Sequence, residues 1–129
     1  MRLAFAIFLF IHGLAHGVGA LTVSGIVKDE NAPSDPTFLL TGFDSGHWIF
    51  KLMAVIWLLP LIGFVFAGIG VIQEAEWALP VIIVSTVLST ILSLIWAKAA
   101  PFGLVANLVV IAVLLIPWAN GRMVPPFES

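Results

Sequence analysis

Two histidines spaced four residues apart are the side chains best suited to chemistry in this sequence. His12 and His16 lie in the uncharged run 3–27. Residues four apart share one face of a helix, so the two imidazoles can bind one metal ion. No glutamate follows His12, which excludes the HExxH pattern of zinc proteases. The pair predicts either a metal or haem site, or two neutral histidines hydrogen-bonded to a facing helix.

A three-histidine metal site would also need His47, at the start of the second apolar segment. If the first helix ends near Gly25, His16 lies about 13 Å below that end, at 1.5 Å per residue. His47 can reach it only if the helix ends early or the next loop folds inward. Haem ligation by His12 and His16 alone is disfavoured, because two ligands on one helix face cannot lie on opposite sides of the iron.

Asp44, His47 and Lys51 are spaced three and four apart around the start of the second segment. They predict either an acid–base or ligand-binding site at the start of the second helix, with Asp44 as a further metal ligand, or a helix cap followed by an interfacial lysine.

Hydroxyl side chains form a stripe on one face of the third apolar segment: Ser85, Thr86, Ser89, Thr90 and Ser93. Such a stripe lines a polar solute path or, more often, packs against another helix while its hydroxyls bond back to their own backbone. Asn107 is the strongly polar residue of the fourth segment, and its amide must face protein. We expect the histidines or the hydroxyl stripe to be its partners.

The elements that carry these residues follow from the distribution of charge. Five basic and seven acidic residues all fall outside four uncharged runs of 25, 22, 21 and 23 residues (3–27, 52–73, 77–97 and 99–121). A helix needs about 20 mostly apolar residues to cross a bilayer. The sequence therefore predicts one all-α domain over residues 1–129, a four-helix transmembrane bundle with spans 3–25, 47–70, 77–97 and 101–119.

The segment 26–46 is predicted to be a structured loop, in which Asp35-Pro36 starts a short helix that ends at Gly42. Small residues predict close helix packing at two further faces. These are Gly13 and Gly17 in the first span, and Gly63, Ala67 and Gly70 in the second.

Composition excludes several functions. The chain is 61% hydrophobic, 9% charged and has a net charge of −2, which argues against binding nucleic acid. It has no cysteine and no tyrosine, so thiolate metal sites, thiol redox chemistry and phenolic proton transfer are excluded. We expect contact with lipid and with other membrane chains. We also expect the termini on the cytoplasmic side of a bacterial inner membrane, because the acidic, proline-rich loop resembles an exported one.

Two motifs carry a resemblance over the whole chain. Residues 11–16 read IHGLAH, and residues 96–107 read WAKAAPFGLVAN. The chain resembles a group of uncharacterised small bacterial four-span membrane proteins, in which an N-terminal IHGxxH helix and an FGxxxN start to the last helix recur. The resemblance implies that His12, His16 and Asn107 are the residues to examine, and it implies no activity.

Three functional hypotheses follow. The first is a non-catalytic accessory or structural subunit of a larger membrane complex, because the chain has more small-residue faces than one bundle needs. The second is a metal- or haem-binding redox or sensor protein that uses His12 and His16. The third is a small-solute transporter or channel along the hydroxyl stripe, which the lack of a carboxylate inside the spans disfavours.

Overall fold

The computed structural model describes residues 1–27, 35–44 and 46–119, with side chains as far as residue 116 in the last helix. These residues contain four helices and no strand: α1 (Arg2–Val23), α2 (Trp48–Ile72), α3 (Ala78–Ile95) and α4 (Pro101–Ala119). Each helix begins and ends within two residues of its predicted span. The all-α, four-helix architecture is confirmed, whereas the predicted features of residues 28–34, 45 and 120–129 lie outside the described part.

The helices have the length and surface of membrane spans. The α1, α2 and α3 helices are each long and apolar enough to cross a bilayer, and α4 is apolar over Pro101–Ile116. Large apolar side chains cover their outer faces, with Leu14, Val55 and Val84 each more than half exposed. Such a surface suits lipid and not water, so the chain is an integral membrane protein.

The first two helices end in the same hydrogen-bonded turn. After α1, Gly25 has a φ of 78°, and the Ile26 N–H donates to the Leu21 carbonyl at 3.1 Å. After α2, Glu74 has a φ of 55°, and the Ala75 N–H donates to the Gly70 carbonyl at 2.9 Å. Both are Schellman turns, which satisfy carbonyls that the helix end leaves free.

An ion pair joins the start of α1 to the turn after α2. Glu74, in the turn after α2, pairs with Arg2 at the start of α1. The contact places the start of α1 beside the end of α2, so the two helices run antiparallel.

The predicted helix at residues 36–41 is wrong. Residues 35–44 form turns and bends, and Leu39 and Leu40 have φ values of 51° and 45°, which a right-handed helix cannot contain. The backbone N–H groups of this loop instead cap α3. Those of Thr37 and Phe38 donate to the Ile95 carbonyl at 2.7 and 3.1 Å. The loop is thus structured over residues 35–44, as predicted, and it lies against the end of α3.

All five predicted packing residues lie at contacts between helices of this chain. A methyl group on Gly13 would lie 3.1 Å from the Leu61 carbonyl, and one on Gly17 would lie 2.9 Å from the Leu61 side chain. On α2, Gly63 contacts Ser85 of α3, Gly70 contacts Trp77 and Ala78, and Ala67 is fully buried. The small faces therefore bring α1 onto α2 and α2 onto α3.

The buried side chains form two apolar clusters, one at each end of the bundle. One contains Leu9, Phe64 and Ile82, and the other contains Trp57, Leu92 and Trp96. Buried polar residues of α1, α3 and α4 lie between the clusters: His12, His16, Ser89 and Asn107. The α4 helix packs mainly on α3 and makes few contacts with α1, so the α1–α4 seam is the loosest of the helix contacts.

Substitution at Gly13 tests the close α1–α2 approach. Gly13→Leu forces a side chain against the α2 backbone, and overpacking of this kind costs about 1–3 kcal/mol. We expect a lower thermal unfolding midpoint in detergent. Gly42→Ala is the matched control, because a methyl group there has no neighbour within 4 Å. Equal midpoints for the two variants would contradict the packing described here.

Candidate functional site

One hydrogen-bonded chain links three helices at the middle of the bundle. Asn107 Oδ1 lies 2.8 Å from His12 Nε2, and it accepts a hydrogen bond of 3.0 Å from Ser89 Oγ. Ser89 Oγ also lies 2.8 Å from His16 Nε2. The expected partners of Asn107 are thus both present. The hydrogen bonds run in the order His12–Asn107–Ser89–His16, and we call these four residues the histidine layer.

Proton positions follow from the direction of these bonds. Ser89 has one hydroxyl proton, which it gives to Asn107, so the contact with His16 must be His16 Nε2–H donating to the Ser89 oxygen. Asn107 Oδ1 has no proton, so His12 Nε2–H donates as well. With one proton on each neutral imidazole, both histidines carry it on Nε2 and leave Nδ1 as an acceptor.

Aromatic rings hold the two histidines in place. The rings of His12 and His16 meet edge to face, with centroids 5.1 Å apart. Phe64 contacts His12 at 4.5 Å between centroids, and Trp57 contacts His16 at 5.2 Å. His16 is only 2% exposed. These rings of α2 pack against both imidazoles and limit their rotation.

A cavity of about 360 Å³ opens beside this layer, in the loose seam between α1 and α4. Small residues form much of its walls: Ala15 and Gly19 on α1, Gly103 and Ala106 on α4, and Ala99 and Ala100 before α4. Ile11, Val18 and Phe102 also line it and are themselves 64%, 62% and 85% exposed. Because these rim residues face outward among the lipid-facing side chains, the cavity opens toward the bilayer.

Three buried polar atoms belong to side chains that line this cavity: His16 Nδ1, Trp57 Nε1 and Ser93 Oγ. None of the three has a hydrogen-bond partner among the residues that the structure describes. Burial of an unpaired polar group costs about 1–3 kcal/mol. Three such groups beside one cavity are therefore the clearest chemical feature of the protein.

The predicted hydroxyl stripe divides into separate roles. Thr86 and Thr90 donate to carbonyls four residues earlier, each at 2.7 Å. Ser85 packs against Gly63, Ser89 joins the histidine layer, and Ser93 lines the cavity. Most of the stripe thus packs within the bundle, and one of its residues, Ser93, lines the cavity.

His47, Asp44 and Lys51 lie away from this site. His47 caps α2, because its Nδ1 accepts a 3.3 Å bond from the Ile49 N–H, while Asp44 and Lys51 are exposed. Nine helical residues separate His47 from Trp57, so about 15 Å of helix axis lies between His47 and the His16 layer. Among the described residues, no three His, Cys, Asp or Glu side chains are placed to hold a metal ion. The loop does not bring His47 to the histidine pair.

Comparison with known proteins finds no match to this chain: no family model, no curated protein and no solved structure. The resemblance to the small four-span membrane proteins stays a prediction. The two motifs that carry it nevertheless meet in space, because His12 bonds to Asn107 and Phe102 and Gly103 line the cavity beside His16.

Sequence reasoning missed Trp57 and Gly103. Trp57 is the tenth of 25 residues in α2, far from the headgroup level where membrane tryptophans concentrate. That unusual depth was an available signal, because a buried indole N–H needs a partner. Gly103 gave no such signal. A methyl group there would lie 2.7 Å from Ser93 Oγ, which only the folded contact reveals.

Removal of Asn107 tests the histidine layer. Asn107→Leu leaves the His12 Nε2–H and the Ser89 hydroxyl proton without an acceptor in a buried layer. We expect a loss of about 1–3 kcal/mol in the free energy of unfolding. Thr90→Val is the control, because it removes only a bond to the helix's own backbone, and we expect it to cost less than about 1 kcal/mol. Denaturation in mixed micelles measures both. An Asn107→Leu variant as stable as the control would contradict the layer.

Proposed function

We propose that this protein binds a small, neutral, lipid-soluble molecule with one polar group in the cavity between α1 and α4. The observation that carries the proposal is the set of three buried, unpaired polar atoms beside one apolar space. A volume of about 360 Å³ is within the range of small-molecule sites, which are mostly apolar with few polar groups.

Charge supports a neutral ligand. The described lining contains no Asp, Glu, Lys or Arg. An ion would therefore enter without a counter-charge, at a desolvation cost that a site of this kind does not offset. The exposed apolar rim supports entry from the membrane.

The accessory-subunit hypothesis stays a prediction. Its support was a surplus of small-residue faces, but Gly13, Gly17, Gly63, Ala67 and Gly70 all lie against helices of this chain. The haem and transporter hypotheses also stay predictions. The binding proposal has the more direct support, because it accounts for three of the buried polar atoms that have no partner among the described residues: His16 Nδ1, Trp57 Nε1 and Ser93 Oγ.

Filling the cavity from its rim tests the proposal. Ala15 lines the cavity and is exposed, so Ala15→Phe places a ring in the opening without disturbing the buried core. Leu14→Phe is the matched control, because Leu14 is the exposed neighbour that faces away from the cavity. The probes are 4-bromophenol and 4-bromoanisole, whose bromine quenches nearby indole fluorescence, including that of Trp57.

We expect saturable quenching by at least one probe in the parent protein and in Leu14→Phe. We expect at least about tenfold weaker binding in Ala15→Phe, because the ring occupies the volume the probe needs. Quenching that never saturates, or that Ala15→Phe leaves unchanged, would reject a binding site in this cavity.

We also propose a bacterial inner-membrane location with both termini in the cytoplasm, on the support of the acidic, proline-rich α1–α2 connection. The chain has no cysteine, so Gly42→Cys introduces a single thiol in the exposed loop. We expect this thiol to react with an impermeant maleimide from outside intact spheroplasts. Labelling only after the membrane is opened would reverse the orientation.

A further inference from the structure

The hydrogen bonds of the histidine layer determine whether His16 Nδ1, an atom of a cavity-lining residue, is a donor or an acceptor. Because His16 Nε2–H donates to Ser89, the Nδ1 of the neutral ring carries no proton and is an acceptor. His16 lines the cavity, and its Nδ1 has no partner within the described part of the chain. A ligand that satisfies this atom must therefore bring a hydrogen-bond donor.

The other two atoms have complementary properties. The indole Nε1–H of Trp57 is a donor only, and the Ser93 hydroxyl can also donate. Trp57 and Ser93 are 4% and 0% exposed. Both lie close to His16: the Trp57 ring contacts it at 5.2 Å between centroids, and Ser93 is one helical turn after Ser89, which bonds to it. The ligand thus meets two donors and one acceptor in one region.

A single hydroxyl group can pair with all three atoms, because it has one proton to donate and two lone pairs to accept hydrogen bonds. We propose that the cavity binds an alcohol or phenol whose O–H donates to His16 Nδ1 and whose oxygen accepts from Trp57 Nε1–H and Ser93 Oγ–H. This inference rests on the proposed function and adds the chemical class of the ligand. The apolar body of the molecule lies between the small-residue walls of α1 and α4.

Other neutral polar groups match less well. An ether or a ketone accepts from Trp57 and Ser93 but has no proton for His16 Nδ1. A thiol is a weak donor and a weak acceptor. A site built to bond a hydroxyl discriminates strongly against the analogue that lacks its proton, because the site's own buried atom is then left unpaired.

The two bromoaryl probes differ only in that a methyl group replaces this proton. 4-Bromophenol has the hydroxyl, and 4-bromoanisole has a methyl ether on the same ring. In the parent protein in detergent we expect 4-bromophenol to bind about tenfold more tightly or better, which is the effect of one unpaired buried acceptor. Equal binding of the two probes, with both still blocked by Ala15→Phe, would reject the hydroxyl class and keep the proposed function. No saturable binding of either probe would reject both.

Two variants separate the roles of the polar atoms. Ser89→Ala removes the group that holds the His16 proton on Nε2, so the ring can place its proton on Nδ1 and donate to the ether oxygen. We expect the preference for 4-bromophenol to fall below about threefold. Trp57→Phe keeps a ring but removes a donor to the oxygen that both probes share, and Trp96, which also lines the cavity, remains as the fluorescent reporter. We expect it to weaken both by a similar factor, about three- to tenfold, with the preference retained.

Thr90→Val is the control for both variants, because Thr90 bonds to its own backbone and does not line the cavity. We expect it to change neither affinity nor preference. An unchanged preference in Ser89→Ala would contradict the assigned polarity of His16. A Trp57→Phe variant that binds as the parent does would contradict the donor role of Trp57. If Ser89→Ala does not fold, the parent comparison and Trp57→Phe still decide the proposal.

Discussion

Inside hydrocarbon a polar side chain can bond only to protein or to a bound molecule, and this constraint organises the centre of the bundle. His12 and His16 enter it on α1 and are satisfied at Nε2 by Asn107 and Ser89, which come from α4 and α3. The chain of bonds sets the relative positions of three helices. It also has a cost, because each imidazole uses only one of its two nitrogens there. The Nδ1 of His16, which lines the cavity, then stays an acceptor without a partner among the described residues.

The cavity itself follows from an imbalance in helix packing. Glycines bring α1 so close to α2 that the Gly13 position meets the Leu61 carbonyl, and α2 approaches α3 in the same way at Gly63. Among the described residues, α4 meets α1 at the His12–Asn107 bond but makes few other contacts with it, and small residues on both sides of that seam leave space. Tight packing on one side of α1 and an open seam on the other are therefore two aspects of one arrangement. Trp57 connects them, because its ring packs on Gly19 and lines the cavity.

Much of this was predictable from the sequence, for physical reasons. Uncharged runs long enough to cross a bilayer determined the four helices, and Asn107 had to find a polar partner because lipid offers none. The predicted helix at Pro36 does not form, because contacts with α3 override the local capping preference. The Thr37 and Phe38 N–H groups donate to the Ile95 carbonyl at the end of α3 instead. The cavity was not predictable, since it depends on how Ser93 faces Gly103 and on which side of α1 stays open. Those are relations between helices, which local spacing does not encode.

The outward position of Ile11, Val18 and Phe102 has one more consequence. A molecule that enters between α1 and α4 comes from the membrane, so occupancy of the cavity follows its mole fraction among the lipids and not its concentration in water. A sparingly soluble compound that is scarce in water can then bind from the lipid, where its concentration is high, without leaving the bilayer. If the proposed function holds, the protein therefore selects its ligand from molecules dissolved in the bilayer.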